Sequence, residues 1–490
     1  MLSIPRRFFG LLRTPQVPKA RISNIRVARS MEMERPAKVP RLKQESGKVA
    51  KVEVERYDEL LQEKVVDIKE FFSGFKLPDV DVYPSAPANF RMRTEFRVWH
   101  EDEDLYYIMF EKSEDVSGRP QRVRKDTFPV ASKLINELMP KVIEEAKKTE
   151  VLRKRLYQVN FHTTLKGEAM VSFIYHKKLG ADWVEAARQL GVMLAEVPSC
   201  TTDRVHVIGR SKGQKICLDQ DFVTEELTVD GQKYKYKQVE CSFSQPNGFV
   251  CQHMLEWALD ATRIRSENPE SQTPQKSGAD DLTKGTEEKK QIPEENQQEG
   301  GSSNVGHSGA SERDFLELYC GNCNFTVPLA KNFRSAVATE ISKVSIAAAR
   351  DNLKDNGIEN VTVARMSSEE FVTKYRSGAG GRRLEGLDLT KLDISTVLVD
   401  PPRCGLDEDT VKLVQEFDYI VYISCNPETL HQNLQELTKS HSIVKFAVFD
   451  QFPYTGHLEC GAYLEKLKPV EQSPQGGASG EEASVAGNVQ

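Results

Sequence analysis

Hydrophobic and polar positions divide the chain into two patterned stretches separated by one without pattern. From near Tyr57 to about Gln245, runs such as Phe96-Arg97-Val98-Trp99, Tyr106-Tyr107-Ile108-Met109-Phe110 and Met170-Val171-Ser172-Phe173-Ile174-Tyr175 read as strands. Apolar spacing predicts helices over residues 131–147 and 183–194, so this stretch is an α+β domain with no nucleotide fingerprint. From Asp314 onward the two periods alternate. Strands are predicted over 315–319, 336–340, 361–366, 396–400, 419–424, 443–449 and 460–464, with helices such as 343–356 and 427–438 between them. This alternation implies an α/β fold with a doubly wound, mostly parallel sheet, whose ligands sit at the carboxyl ends of the strands.

Residues 266–312 break the pattern. Glu, Gln, Ser, Gly, Pro and Lys dominate, and only Ala279, Leu282, Ile292, Val305 and Ala310 are hydrophobic. Such a segment buries too little surface to offset its ordering entropy, which predicts a disordered insertion between a helix over 252–262 and the strand at 314–319. The same reasoning leaves residues 1–52 and the tail after 467 unstructured. The domains expected are therefore 53–245 and 246–466.

Composition adds three constraints. With 490 residues and 39% hydrophobic content the chain can build two or three cores, and no run approaches the ~18 apolar residues of a membrane span. The net charge of −6 is an average that hides local fields. Nine scattered cysteines, an odd number without framework spacing, fit a reducing compartment. The first 30 residues hold seven basic residues and no acid before Glu32. That pattern resembles a transit peptide for a mitochondrion or another organelle; the other reading is a basic arm of a cytoplasmic protein that holds RNA phosphates.

The chemistry lies at the predicted strand ends. Tyr319-Cys320-Gly321-Asn322-Cys323-Asn324 runs off the first strand of the second stretch into a tight turn, and Glu340 closes the next strand, where an acid takes the ribose hydroxyls of a nucleoside. S-adenosylmethionine (SAM) has that ribose but no pyrophosphate, so a single Gly suffices. Cys320 and Cys323 also spell CxxC, but no second pair completes a zinc site, and no metal is expected. Cys425 follows a buried strand and precedes the helix opened by Pro427, whose N-terminus is expected to lower the thiol pKa. Asp400-Pro401-Pro402-Arg403 ends another strand, and Glu459 lies between His457 and Cys460 at the start of the last one. A thiol nucleophile, a carboxylate base and a methyl sulfonium in one pocket are what methylation of a pyrimidine C5 needs, because C5 becomes nucleophilic only after a thiolate adds at C6. Arg91, Arg93, Arg97, Arg122, Arg124 and Lys125, interleaved with Phe90, Phe96 and Trp99, form a basic and aromatic patch suited to phosphates and splayed bases.

At these residues the chain resembles the tRNA (uracil-5-)-methyltransferases of the TrmA type, within the RNA m5U methyltransferase family. The likeness runs through Phe-Arg-Met-Arg-Thr-Glu-Phe-Arg (90–97), Tyr-His-Lys-Lys (175–178), Ser-Phe-Ser-Gln-Pro-Asn (242–247), Leu-Tyr-Cys-Gly-Asn (318–322), Val-Asp-Pro-Pro-Arg (399–403), Ser-Cys-Asn-Pro-Glu-Thr-Leu (424–430) and Asp-Gln-Phe-Pro-Tyr-Thr (450–455). It implies a Rossmann-like SAM-dependent methyltransferase domain preceded by an α+β RNA-binding domain. It also implies a SAM site of Gln245, Tyr319, Asn324, Glu340 and Asp400, with Cys425 as nucleophile and Glu459 as proton acceptor. RNA contacts fall to Arg91, Arg93, Arg97 and Arg403, and the partner is the T-arm of tRNA, bound by a monomer and methylated at the T-loop uridine. Cys323 departs from the small Gly usual in that turn, and a side chain there would crowd the methionine or adenine. No Cys precedes Cys200, so the iron-sulfur cluster of sister rRNA enzymes is not expected. Two alternatives stay open: an RNA cytosine-5 methyltransferase, and a tRNA-folding chaperone with little or no catalysis.

Overall fold

A computed structural model describes residues 51–102, 104–111, 120–263, 312–378, 382–384 and 387–468. The predicted transit peptide, most of the insertion and the C-terminal tail lie outside the described residues. Among those that are described, no helix is long and apolar enough to cross a membrane.

The first half runs α1 (Tyr57–Phe71), β1 (Val80–Tyr83), β2 (Arg93–Glu101), β3 (Asp104–Glu111), β4 (Gln121–Arg124), α2 (Lys133–Lys148), α3 (Glu150–Arg153), β5 (Leu156–Thr163), β6 (Ala169–Tyr175), α4 (Ala181–Leu194), β7 (His206–Ser211), β8 (Gln214–Cys217), β9 (Phe222–Val229) and β10 (Gln232–Val239). Seven of these strands form one sheet in the order β4-β3-β2-β5-β6-β7-β8, antiparallel except where β6 and β7 run parallel through the α4 crossover. One face of this sheet is covered by helices, and the other is covered at β6 and β7, where Met170 and Ile208 pack with Val223 of β9. Phe96, Val98, Leu105, Tyr107, Phe161, Val171 and Phe173 form a core with Leu134, Leu138 and Val142 of α2 and Trp183, Ala187 and Leu190 of α4. Strand alternation sends Arg93, Glu95, Arg97 and Trp99 to the other face, where no helix of the described chain forms part of that core.

The second half runs α5 (Gly248–Ala261), β11 (Asp314–Leu318), α6 (Thr326–Leu329), β12 (Ala336–Glu340), α7 (Lys343–Asp355), β13 (Val361–Arg365), α8 (Ser368–Ser377), β14 (Ile394–Val399), α9 (Glu408–Val414), β15 (Tyr419–Ser424), α10 (Pro427–Leu437), β16 (His441–Phe449) and β17 (Glu459–Lys466). Its sheet has eight strands in the order β1-β16-β17-β15-β14-β11-β12-β13, with β17 antiparallel to both neighbours. β14 is buried at every position, as a central parallel strand flanked on both faces must be. The chain winds outward from β11 through β12 to β13, then returns to the far side of β11 with β14 and β15. The switch point therefore falls between β11 and β14.

Strand pairing and packing run across the boundary expected at 245. β1 lies parallel to β16, Val80 opposite Phe446, so residues near the start of the described chain extend the second sheet. The β9–β10 hairpin packs there too: Leu227, Val229, Tyr234 and Tyr236 share a core with α5, β11 and α7. The free edge of β10 is closed by Asn352 of α7 and its C-cap Asn356, whose side chains accept from the N–H groups of Lys237 (2.7 Å) and Lys235 (2.9 Å). Only the span between β1 and β9 forms the separate seven-stranded unit.

Candidate active site

Register places the chemically distinctive side chains in one row. Leu318 pairs with Thr339 on one side and Val399 on the other, so Tyr319, Glu340 and Asp400 leave the sheet at the same edge. Ser424 of β15 pairs with Cys460 of the antiparallel β17, which brings Cys425 and Glu459 to that edge one residue beyond the pair. Across adjacent strands the order is Glu340, Tyr319, Asp400, Cys425, Glu459. Neighbouring strands lie about 4.8 Å apart, so the row spans about 19 Å.

At the β15–β17 end, Cys425 is half-buried and Glu459 is 4% exposed. Burial, then the negative charge of Asp400, pushes the Glu459 carboxyl up to about 8, against the pull of the Arg403 guanidinium. Burial alone pushes Asp400 up to about 7. The Cys425 thiol rises to about 11 through burial, then Glu459 and Asp400, with Arg403 opposing. This corrects the expected lowering. The α10 N-terminus is present, with Asn426 as its N-cap, yet burial and two carboxyl neighbours raise the thiol. Asn426 also donates to the Arg403 carbonyl (2.9 Å), and Thr429 donates to the same oxygen (3.3 Å). The turn after β14 is thereby tied to the helix that follows Cys425.

At the β11–β12 end the backbone is unusual. Tyr319, Gly321 and Cys323 all have φ near +60°, at 63°, 56° and 64°. For a side-chain-bearing residue this costs about 1–2 kcal/mol, which is why small residues suit such a turn. The Gly321 and Ser342 N–H groups each donate to one Glu340 oxygen (3.2 and 2.7 Å), orienting that carboxylate at the turn. The Tyr319 hydroxyl meets Ser368 Oγ at 2.7 Å, at the start of α8. Asn324 donates to Cys251 Sγ (3.5 Å) and its carbonyl accepts from Tyr236 (3.1 Å). The Cys323 side chain is buried in the core below, its Sγ 3.9 Å from that of Cys320, and the space beside Gly321 stays open.

Two separate observations are compatible with a ligand held by these residues. Open space adjoins Gly321, and among the described residues Gln245 Oε1 is a buried acceptor without a hydrogen-bond partner. A buried polar atom left unpaired is costly, so a ligand donor is the natural complement. Gln245 is held by its neighbours: Pro246 C=O accepts from Met92 N–H (2.7 Å), and Asn247 N–H donates to Gln451 Oε1 (3.1 Å).

The predicted RNA residues separate. Phe90 and Phe96 are buried and cannot stack a base; strand alternation turns Phe96 into the core. Arg93 donates to Ser242 C=O (2.5 Å) and Ser244 Oγ (3.2 Å), and Arg91 to Arg93 C=O (2.9 Å), so both partly serve to shape the 242–246 loop. They line a cavity of about 350 Å³ with His162, Phe243, Pro246 and Phe452. On the open face, Arg97 lies 3.9 Å over Tyr157, Arg122 3.9 Å over Trp99 and Arg124 4.6 Å over Tyr106.

Sequence reasoning missed Ser368 and Lys64. Ser368 has no distinguishing local pattern. Lys64 did have a signal, a charge on the apolar stripe Tyr57, Leu61, Val65, Ile68 of α1.

A family model described as tRNA (Uracil-5-)-methyltransferase matches residues 56–268 and 304–467. The tRNA/tmRNA (uracil-C(5))-methyltransferase of Shewanella sediminis is 43% identical over 418 residues, covering 85% of this chain and 99% of that protein. Its counterpart from Acinetobacter baylyi is 41% identical over 413 residues, covering 84% and 99%. Among solved structures, the Pyrococcus abyssi tRNA (uracil-54, C5)-methyltransferase in complex with S-adenosyl-L-homocysteine aligns with a TM-score of 0.53 at 20% identity, over 83% of each chain, a likeness of fold.

Proposed function

This chain belongs to the tRNA (uracil-5-)-methyltransferase family, and from that premise we propose that it modifies the T-loop uridine of tRNA, position 54, through a covalent bond from Cys425. The enzyme transfers a methyl group from SAM to C5 of uracil in tRNA. The observation that supports the mechanism is the coupling of Cys425, Glu459, Asp400 and Arg403 at one sheet edge, where each carboxyl perturbs the next group.

Gln245, Tyr319, Asn324, Glu340 and Asp400 are the residues that would hold SAM, with Glu340 toward the ribose. When bound, SAM supplies an electrophilic methyl group and a positively charged sulfonium. The Cys425 thiol gives up its proton to solvent, the thiolate adds to C6 of the uracil, and the electron pair of the C5–C6 double bond moves onto C5 and O4 as an enolate. C5 gains the methyl group as the bond between the methyl carbon and sulfur breaks, its electron pair staying on sulfur as the neutral thioether, and C5 still bears its hydrogen. Glu459 takes that hydrogen as a proton, the double bond re-forms, and the C6–S bond breaks to return the thiolate. A carboxyl at about 8 is mostly protonated at neutral pH, with roughly a tenth as carboxylate at pH 7 to take the proton and later return it to solvent. The target base is stacked within the folded T-loop and must be extruded to reach Cys425. The open face of the seven-stranded sheet, with its Arg-aromatic pairs, and the cavity beside the 242–246 loop support RNA recognition there by stacking and phosphate contact.

The test is transfer of labelled methyl from SAM to an unmodified tRNA transcript and to one with cytidine at position 54. Label in the first alone is expected, and Cys425→Ala is expected to bind tRNA without methylating it. Equal label in both transcripts would exclude position 54, and turnover by Cys425→Ala would exclude the adduct.

A further inference from the structure

Lys64 stands on the buried face of α1, its side chain 15% exposed, and its ion-pair partner Asp450 is 1% exposed. Burial pulls the ammonium pKa down and Asp450 pulls it up. The ammonium has three protons, and three acceptors surround it: Asp450 Oδ1 at 2.7 Å, Phe452 C=O at 3.0 Å and His457 C=O at 3.5 Å. These acceptors straddle one connection. Asp450 follows Phe449, which pairs with Glu459, and His457 precedes Glu459 by two residues.

We propose that Lys64 is a positioning residue for proton removal, its ammonium clamping both ends of the β16–β17 connection so that Glu459 faces the carbon that loses its proton. The inference rests on the reading of Glu459 as proton acceptor. Lys64 touches neither Glu459 nor Cys425 through any of its three bonds, so it acts through the loop. An apolar residue could fill the same volume but would take the cation from the buried Asp450 carboxylate and the ammonium donor from the His457 carbonyl, leaving Phe452 C=O to Thr455 alone. The helix bearing Lys64 is itself anchored, because Tyr57, Leu61 and Val65 pack together with Val82 of β1 and with Tyr454 of the same connection. The connection is further pinned by Gln451, which accepts from Asn247 N–H (3.1 Å), and by Tyr454, which donates to Pro87 C=O (2.5 Å). Loss of Lys64 therefore leaves a loop that is attached but no longer held beside Glu459.

The experiment uses full-length protein, unmodified tRNA and labelled SAM in single turnover, and follows both methylated tRNA released and covalent protein–RNA adduct on denaturing gels. Lys64→Met leaves Asp450 buried and unpaired, so Lys64→Met/Asp450→Asn is run beside it to remove the stranded charge. The double variant is expected to melt close to the parent and to form adduct. It is also expected to release product about 10²-fold more slowly, the effect of roughly a 1 Å misplacement. A folded double variant that releases product at the parent rate without adduct build-up overturns the proposal and leaves Lys64 a structural ion pair. Glu459→Gln separates the two readings. If it traps adduct and the double variant does not, only the Lys64 role fails; if it turns over normally, the Glu459 reading fails and this proposal with it.

Discussion

Replacing Glu459 by Gln keeps the shape of a buried carboxyl and removes its ability to ionise, which makes the protein's stability a readout of the active-site environment. Below pH 4.5 the Glu is protonated in both folded and unfolded chains, and it contributes no pH dependence. Between 4.5 and about 8 the unfolded chain has released the proton while the folded chain keeps it, so stability falls as pH rises. Above about 8 the full deficit is present. A rise from 4.5 to about 8 corresponds to a cost on the order of 5 kcal/mol at alkaline pH. Part of this is repulsion from Asp400, itself raised to about 7, and Gln relieves that as well. The expected result is near-equal stability of parent and Glu459→Gln at pH 5, and a variant more stable by roughly 3–5 kcal/mol at pH 9. Urea unfolding at both pH values measures it, and Trp257 gives the signal, since its ring lies in the space that a Cβ on Gly461 of β17 would occupy. A difference that stays constant from pH 5 to pH 9, or narrows, would refute the buried, protonated state of Glu459.

Three further outcomes are expected. Gln245→Ala should melt as the parent does, because its buried oxygen has no protein partner, while SAM affinity measured by calorimetry falls about tenfold, the worth of one hydrogen bond; unchanged affinity would remove Gln245 from the cofactor site. Gly461→Ala places a Cβ 2.9 Å from the Trp257 ring and 3.1 Å from Phe449, and should cost about 1–3 kcal/mol of stability by overpacking; an unshifted melting curve would show that the rings can yield. Trp99→Ala should weaken tRNA binding by about 1–3 kcal/mol through loss of a stacking surface, without changing SAM binding; equal tRNA affinity would place RNA off the open face of the sheet.

The sequence determined whatever depends on near neighbours. Buried parallel strands appear as unbroken apolar runs, so the strands from Asp314 onward and the α7 and α10 helices were legible to within a few residues, and with them the position of Cys425, Asp400 and Glu340 at strand ends. Glu459 could be picked out because a carboxyl among apolar strand residues has few roles. Tertiary structure alone decided what depends on distant partners. β1 pairs with a strand more than 350 residues away, and the hairpin β9–β10 crosses to the second sheet, because the surfaces they cover belong to elements that local periodicity cannot see. The inward turn of Phe96 was decided by which face of β2 the helices α2 and α4 cover. The ionisation of Cys425 reversed for the same reason: the helix N-terminus was readable beside it in the chain, whereas burial and the charges of Glu459 and Asp400 reach it only through the folded sheet.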